Sequence, residues 1–307
     1  MAENLGIGVN HGKKVIVTKD GKKYEKAGLG NSAAAVMIAN VAGSTVMLSA
    51  QKLGGLPIKS AMKSVANLDA DVFKKAADAG FKASGLAEKG VKFVDATVEN
   101  KAVVDDILKK SIPAWMDKFP PLKKIMEPKM RAMAGLVRDG KNAFYSPRAK
   151  ALVVNRDKMG WAAFHEMGHA LNNNNPGFGK VLAKARGPLA MLSIVSLLVA
   201  LFKRKKAEGE EPGGVFDKTT TFIKNNCGKL AFLGMVPTLA EEGLASIKAS
   251  KLAKNFISVE QLKTLNKVNG KAWLTYLATA VGMGLGAYTI SKVRDAIAHP
   301  KEIKSNN

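Results

Sequence analysis

Gly160-Trp161-Ala162-Ala163-Phe164-His165-Glu166-Met167-Gly168-His169-Ala170-Leu171-Asn172 carries an H-E-x-x-H arrangement inside a run whose spacing predicts a helix. Histidines four residues apart stand one above the other on a helix face, so both imidazoles can reach one Zn²⁺. The glutamate between them then lies beside the metal, in reach of a water held there. The chain has only four histidines, and this motif uses two of them.

A zinc site that performs chemistry usually takes three protein ligands and leaves one position open. The longer H-E-x-x-H-x-x-G-x-x-H pattern needs glycine at position 172 and histidine at 175, and asparagine stands at both. His299, the only histidine downstream, adjoins Pro300 near the C-terminus and reads as a surface residue. A carboxylate is therefore the expected third ligand. Glu208, Glu210 and Glu211 lie in a polar loop with glycine and proline, a poor platform for a fixed ligand. Glu241 and Glu242 instead follow an apolar stretch and open a helical run reaching Lys254. An acidic pair there is costly to bury unless it is paired or metal-bound. Complementing the helix macrodipole is the other role open to the pair.

Around this motif the 307 residues carry a formal charge of +23, mostly lysine, and a single cysteine, Cys227. One cysteine excludes an intrachain disulfide framework and a Cys-rich zinc ribbon. The charge suits nucleic acid or an anionic membrane surface. Nucleic-acid readers lean on arginine forks and stacking aromatics, both scarce here, so a lipid membrane is the preferred partner and nucleic acid the disfavoured one. The first apolar run follows a polar, lysine-rich lead, so no cleavable signal peptide is expected. Residues 1–26 read as a hairpin, Val15 to Thr18 turning at Asp20-Gly21, or as a basic arm.

Four stretches are apolar: 27–56, Gly187 to Phe202, Leu230 to Ala240, and Ala272 to Ser291. A membrane span needs roughly 20 apolar residues, which the first and fourth meet. The second is marginal because it stops at Lys203-Arg204-Lys205-Lys206, and the third is short unless it begins near Thr219. Ala35, Ala39 and Gly43 recur every fourth residue, as do Ala278, Gly282 and Gly286, a stripe that lets membrane helices approach closely. Trp273, Tyr276 and Tyr288 sit near the ends of the last stretch, as an interfacial belt would. Between 57 and 139 the pattern is lysine-rich and amphipathic, with surface helices expected at Asp69 to Gly80 and Lys101 to Ile112 and breaks at Pro113, Pro120-Pro121 and Pro128. Ser258-Val259-Glu260-Gln261 reads as a capping box.

With its trailing Ala170, the zinc motif, an apolar hairpin, and then Glu242-Gly243-Leu244-Ala245-Ser246 resemble the integral-membrane zinc peptidases of the CAAX-prenyl-protease and HtpX group, and especially the YugP-like neutral zinc peptidases. The likeness covers roughly Lys141 to Ser250. It implies that the third ligand opens an E-x-x-A-[D/S] pattern, which maps onto Glu242 and leaves Glu241 as its neighbour. Ser246 replaces the aspartate of the prenyl-protease pattern, which favours the YugP-like branch. Asn142 to Arg148 and Ala151 to Asn155 are similar to the strand before the active helix, which in zincins pairs with an extended substrate.

The expected fold is mainly α, an α+β zincin-like core with a small edge strand and membrane-embedded helices. Its segments are a basic arm at 1–26, a membrane helix at 27–56, the amphipathic region 57–139, a catalytic region 140–256 holding the hairpin 187–240, and C-terminal helices 257–307 with a span at 272–291. The expected activity is that of a zinc-dependent metallopeptidase on a peptide or protein substrate, with metal ligands His165, His169 and Glu242 and Glu166 as general base. Tyr145, Tyr276 and Arg294 are the candidate oxyanion donors, and Ser246 either supports a ligand or packs as a small residue. A non-catalytic basic membrane scaffold and a nucleic-acid-binding protein are the rival readings. The 203–206 cluster asks for an external zinc site by the positive-inside rule, whereas the lysine-rich 57–186 region and the resemblance ask for a cytosolic one.

Overall fold

A computed structural model describes residues 9–10, 13–66, 69–112, 120–211 and 213–303. The break expected at Pro113 and most of the first dozen residues lie outside that set. The strands are β1 (Val9–Asn10), β2 (Lys13–Val17), β3 (Lys23–Glu25), β4 (Lys92–Asp95), β5 (Phe144–Ser146), β6 (Ala151–Val154) and β7 (Lys301–Glu302). The helices are α1 (Leu29–Ala66), α2 (Ala70–Ala83), α3 (Lys101–Ser111), α4 (Pro120–Arg138), α5 (Arg156–Asn174), α6 (Phe178–Phe202), α7 (Val215–Leu233), α8 (Val236–Ala253) and α9 (Val259–Ala298). The fold is mainly α, with two small sheets among the described residues. The chain divides into two compact units, one formed by 1–54, 187–236 and 276–307 and the other by 55–186 and 237–275.

The first unit brings together all or most of each of the four apolar stretches. Among the described residues, three helical segments are long and apolar enough to cross a membrane: Leu29–Val65, Phe178–Phe202 and Val215–Ala253. Their flanks expose large apolar side chains, among them Met37, Val41, Leu198 and Phe222, as lipid-facing helices do. The α6–α7 hairpin closes tightly, with Ser193 Oγ donating to the Ala231 carbonyl at 2.7 Å.

The stretch expected as a span at 272–291 lies within α9, which is not among those three segments. Its glycines, threonines and tyrosines lower its hydropathy, and Gly282, Gly284 and Gly286 meet neighbouring helices. A Cβ on Gly43 would sit 2.9 Å from the Gly286 carbonyl oxygen and one on Gly282 2.9 Å from Ala50 Cβ, so the two small-residue stripes interlock. On another face of α9, a Cβ on Gly284 would lie 3.1 Å from the Gly228 carbonyl of α7.

The N-terminal hairpin is present: Val17 pairs with Lys23, the Thr18 amide donates to the Lys22 carbonyl at 2.9 Å, and Gly21 supplies the positive φ of 78°. Its sheet runs in the order β1-β2-β3-β7.

In the second unit β6 is central, parallel to β4 and antiparallel to β5. All four of its residues are buried, Leu152 and Val154 against the α2–α5 core and Ala151 and Val153 against α3 and α4. A strand covered on both faces reads as a continuous apolar run. Both its edges are already paired, which corrects the idea that Ala151 to Asn155 itself receives an extended substrate. The free edges belong to β4 and β5. Asp69 caps α2 by accepting from the Asp71 and Val72 amides, and Arg156 ties Asp95 to Asp78. The expected stop at Pro128 does not occur, since α4 runs through it. An interior proline removes one helical hydrogen bond, and an exposed position leaves the freed carbonyl to water. The capping box opens α9 as expected, with Gln261 Oε1 accepting from the Ser258 amide at 2.9 Å and Ser258 Oγ from the Gln261 amide at 3.2 Å.

Candidate metal centre

Helix α5 carries the H-E-x-x-H motif, and its register is fixed at the start. Asn155 caps it by accepting from the Lys158 amide at 3.1 Å, and Met159 departs from helical angles, with φ −136° and ψ 30°. Gly160 then lets the α2 backbone approach, since a Cβ there would meet Phe73 carbonyl carbon at 3.0 Å. Phe164 and Met167 bury one face of the motif helix in the core, which turns His165 and His169 toward α8.

Helix α8 brings Glu242 to the histidines. Nε2 of His165 lies 3.1 Å from Nε2 of His169, and Glu242 Oε2 lies 3.2 Å from the first and 3.4 Å from the second. Three ligands at tetrahedral angles, each about 2.0–2.2 Å from one zinc, are separated by roughly 3.3–3.5 Å. One side of the observed triangle, 3.4 Å, falls in that range, and the other two, 3.1 and 3.2 Å, are slightly shorter.

The outer ring nitrogens decide what the inner ones present. His169 Nδ1 lies 2.9 Å from both carboxylate oxygens of Glu241, so it carries the proton and donates it there. Glu241 is itself held by Arg186 Nη1 at 2.7 Å and Asn172 Nδ2 at 3.0 Å. Ser246 Oγ donates to the Glu242 carbonyl at 3.0 Å, which leaves its oxygen to accept from His165 Nδ1 at 3.4 Å. Both Nε2 lone pairs and a carboxylate oxygen therefore converge on one point, an arrangement that repels itself unless a cation occupies it. This donor set fits a divalent metal with nitrogen and oxygen ligands.

Before a metal arrives, a proton can serve as that cation. Burial lowers the affinity of His169 for a proton, yet hydrogen bonds to Glu241 and Glu242, with the charge of Glu166, push its pKa up to about 10.

Glu166 is buried, and its carboxylate, with one ring nitrogen from each histidine, forms a group whose members lie within 4.8 Å of one another. Among the described residues no side chain hydrogen-bonds it. Its lone pairs are free for a substrate or a water.

The sequence singled out His165, Glu166, His169 and Glu242, and the fold brings all four together. It did not single out Arg186 or Asn172, and it left Ser246 between two roles. It weighed Glu241 as a rival ligand or as charge complementing the helix macrodipole, whereas the structure sets Glu241 behind His169 as its hydrogen-bond partner. Of the expected oxyanion donors, Tyr145 is packed in the core with its hydroxyl 2.8 Å from Asn174 Nδ2. Tyr276 and Arg294 belong to the first unit, where Arg294 Nη2 donates to the Phe202 carbonyl at 2.9 Å. Glu210, set aside as a ligand, is paired there with Arg204. No protein-family model, curated protein or solved structure matches this chain.

Proposed function

We propose that this chain is a zinc-dependent metallopeptidase anchored in a membrane. The observation that carries the reading is the triangle of His165 Nε2, His169 Nε2 and Glu242 Oε2, with the unpaired Glu166 carboxylate beside it. Three apolar helical segments support the membrane part. A zinc ion, when bound by those three side chains, supplies Lewis acidity that brings a water's pKa to about 7 and polarises the scissile carbonyl. Glu166 then accepts the proton from the attacking water and returns it to the leaving amine. Glu241 and Ser246 keep both imidazoles in the tautomer that turns Nε2 inward.

The full chain purified under metal-replete conditions should hold about one zinc and cleave an unstructured protein substrate. A strong chelator should remove both properties, and zinc should restore both. Zinc-free protein from such a preparation, measured by elemental analysis, would sink the proposal. In Glu241→Ala, His169 loses the acceptor that orients it, and zinc affinity should fall roughly 10- to 100-fold. Competition with a chromophoric chelator measures this, and an unchanged affinity removes the role given to Glu241.

The raised pKa of His169 also sets a pH dependence. In the metal-free fold its paired, protonated form contributes stability that is full below the ordinary histidine value of 6.5 and lost as pH rises through about 10. Zinc needs the neutral ring, so binding at neutral pH releases that proton. Zinc affinity should therefore fall about tenfold for each pH unit lowered between pH 8 and pH 6. Equal affinities at both ends of that range would contradict the assignment.

A further inference from the structure

In the first unit a cavity of about 310 Å³ lies where α1 begins and α6 and α9 end. Lys26, Ser32, Lys203, Arg204 and Arg294 line it. Three nearby carboxylates are already shared. Glu210 is held by Arg204 at 2.7 Å and Lys206 at 4.0 Å, and Asp217 by Lys203 and by Lys206 at 2.6 Å. Asp295 is held by Lys224 at 3.1 Å and reaches Arg294 only at 3.8 Å. Lys26 has no carboxylate within 4.0 Å among the described residues. Burial and the charge of Arg204, with Lys14 and Lys206 beyond it, hold the Lys26 ammonium below the ordinary lysine range despite Glu210.

Arg294 is the second observation. It is only 6% exposed, and although Nη2 reaches the Phe202 carbonyl, its Nε and Nη1 are buried without a hydrogen-bond partner. A buried guanidinium with unmet donors is expensive, and a planar fork of donors matches the oxygens of a phosphate. The surplus positive charge selects an anion. Exposed apolar side chains along α1 and α6, including Val41 and Leu198, offer a surface for acyl chains.

We infer that this cavity binds a phosphate group, supplied by the headgroup of an anionic lipid. The inference stands apart from the peptidase reading. The test uses the full chain in nanodiscs of phosphatidylcholine alone or with about 20 mol% phosphatidylglycerol, followed by native mass spectrometry of retained lipid. Wild type should retain phosphatidylglycerol, Lys26→Ala should lower that retention about fivefold, and Lys292→Ala, a surface lysine on the same unit, should leave it unchanged. Arg294→Lys keeps the charge but loses the fork, and should also reduce retention. A thermal shift with inorganic phosphate in detergent, present in wild type and absent in Lys26→Ala, would support the phosphate chemistry with a soluble source. Equal retention in Lys26→Ala and Lys292→Ala would reduce the effect to general surface charge and overturn the site. So would no preference for phosphatidylglycerol combined with no response to phosphate.

Discussion

Glu166→Gln should abolish peptide hydrolysis while the zinc stays bound. The carboxylate is not a corner of the triangle, and glutamine keeps its size and its place in α5. What the amide cannot do is accept the proton of the attacking water at neutral pH. A positioned general base is typically worth 10²- to 10⁴-fold, so kcat should fall by about that factor. Elemental analysis should still find close to one zinc per chain, and a quenched fluorescent peptide should show the loss. A variant that hydrolyses normally disproves the role of Glu166. One that loses its zinc makes Glu166 a ligand and breaks the proposed division of labour.

The second large effect comes from a residue with no functional atoms. Gly168 lies inside the motif, and a Cβ there would sit 2.1 Å from the Ala245 carbonyl oxygen, 2.7 Å from its carbon and 2.9 Å from its Cα. These are backbone atoms that no rotamer change can clear. Gly168→Ala must therefore push α8 away from α5, and Glu242 rides on α8 one turn before Ala245. Overpacking typically costs about 1–3 kcal/mol, and contact with rigid backbone puts this case at or above the upper end. Zinc affinity should fall more than tenfold, with a thermal midpoint lower by about 5 °C or more. Gly270→Ala is the control: it sits in a helix of the same unit with nothing within 4 Å of the added carbon. It should be neutral or slightly stabilising, by up to about 1 kcal/mol. If both variants bind zinc like wild type, the close approach of the two helices does not build the site.

Features written in short-range patterns were legible in the sequence. The turn at Asp20-Gly21, the helices near 70–83 and 101–111, the box at Ser258 and the two small-residue stripes all appear where their residue types ask for them. The histidines and Glu166 follow from one helical period, and Glu242 from elimination and resemblance. Partnerships made across long stretches of chain were not legible. Strand β4 is four residues with no alternation, and its pairing with β6 exists only once the α2–α5 core is assembled. Glu241 and Glu242 are adjacent in sequence, yet one faces the histidine nitrogens from inside the triangle and the other from behind it. That difference is set by the roll of α8, which the Gly168 contact fixes and no local pattern encodes. Apolar content likewise does not encode which glycines of α9 meet α1 and which meet α7.

The order in which the chain is made gives the Arg186–Glu241 pair a further meaning. Arg186 closes one stretch of the second unit, 187–236 belongs to the first, and Glu241 follows just after the return, with the pair at 2.7 Å. His165 therefore leaves the ribosome 77 residues ahead of Glu242, and the whole apolar excursion is synthesised in between. Until that excursion has folded back, the nascent protein holds two histidines and no third corner. On the proposed reading, the nascent chain therefore lacks hydrolytic capacity until the segment between Arg186 and Glu241 has been made and the arginine clasp can close.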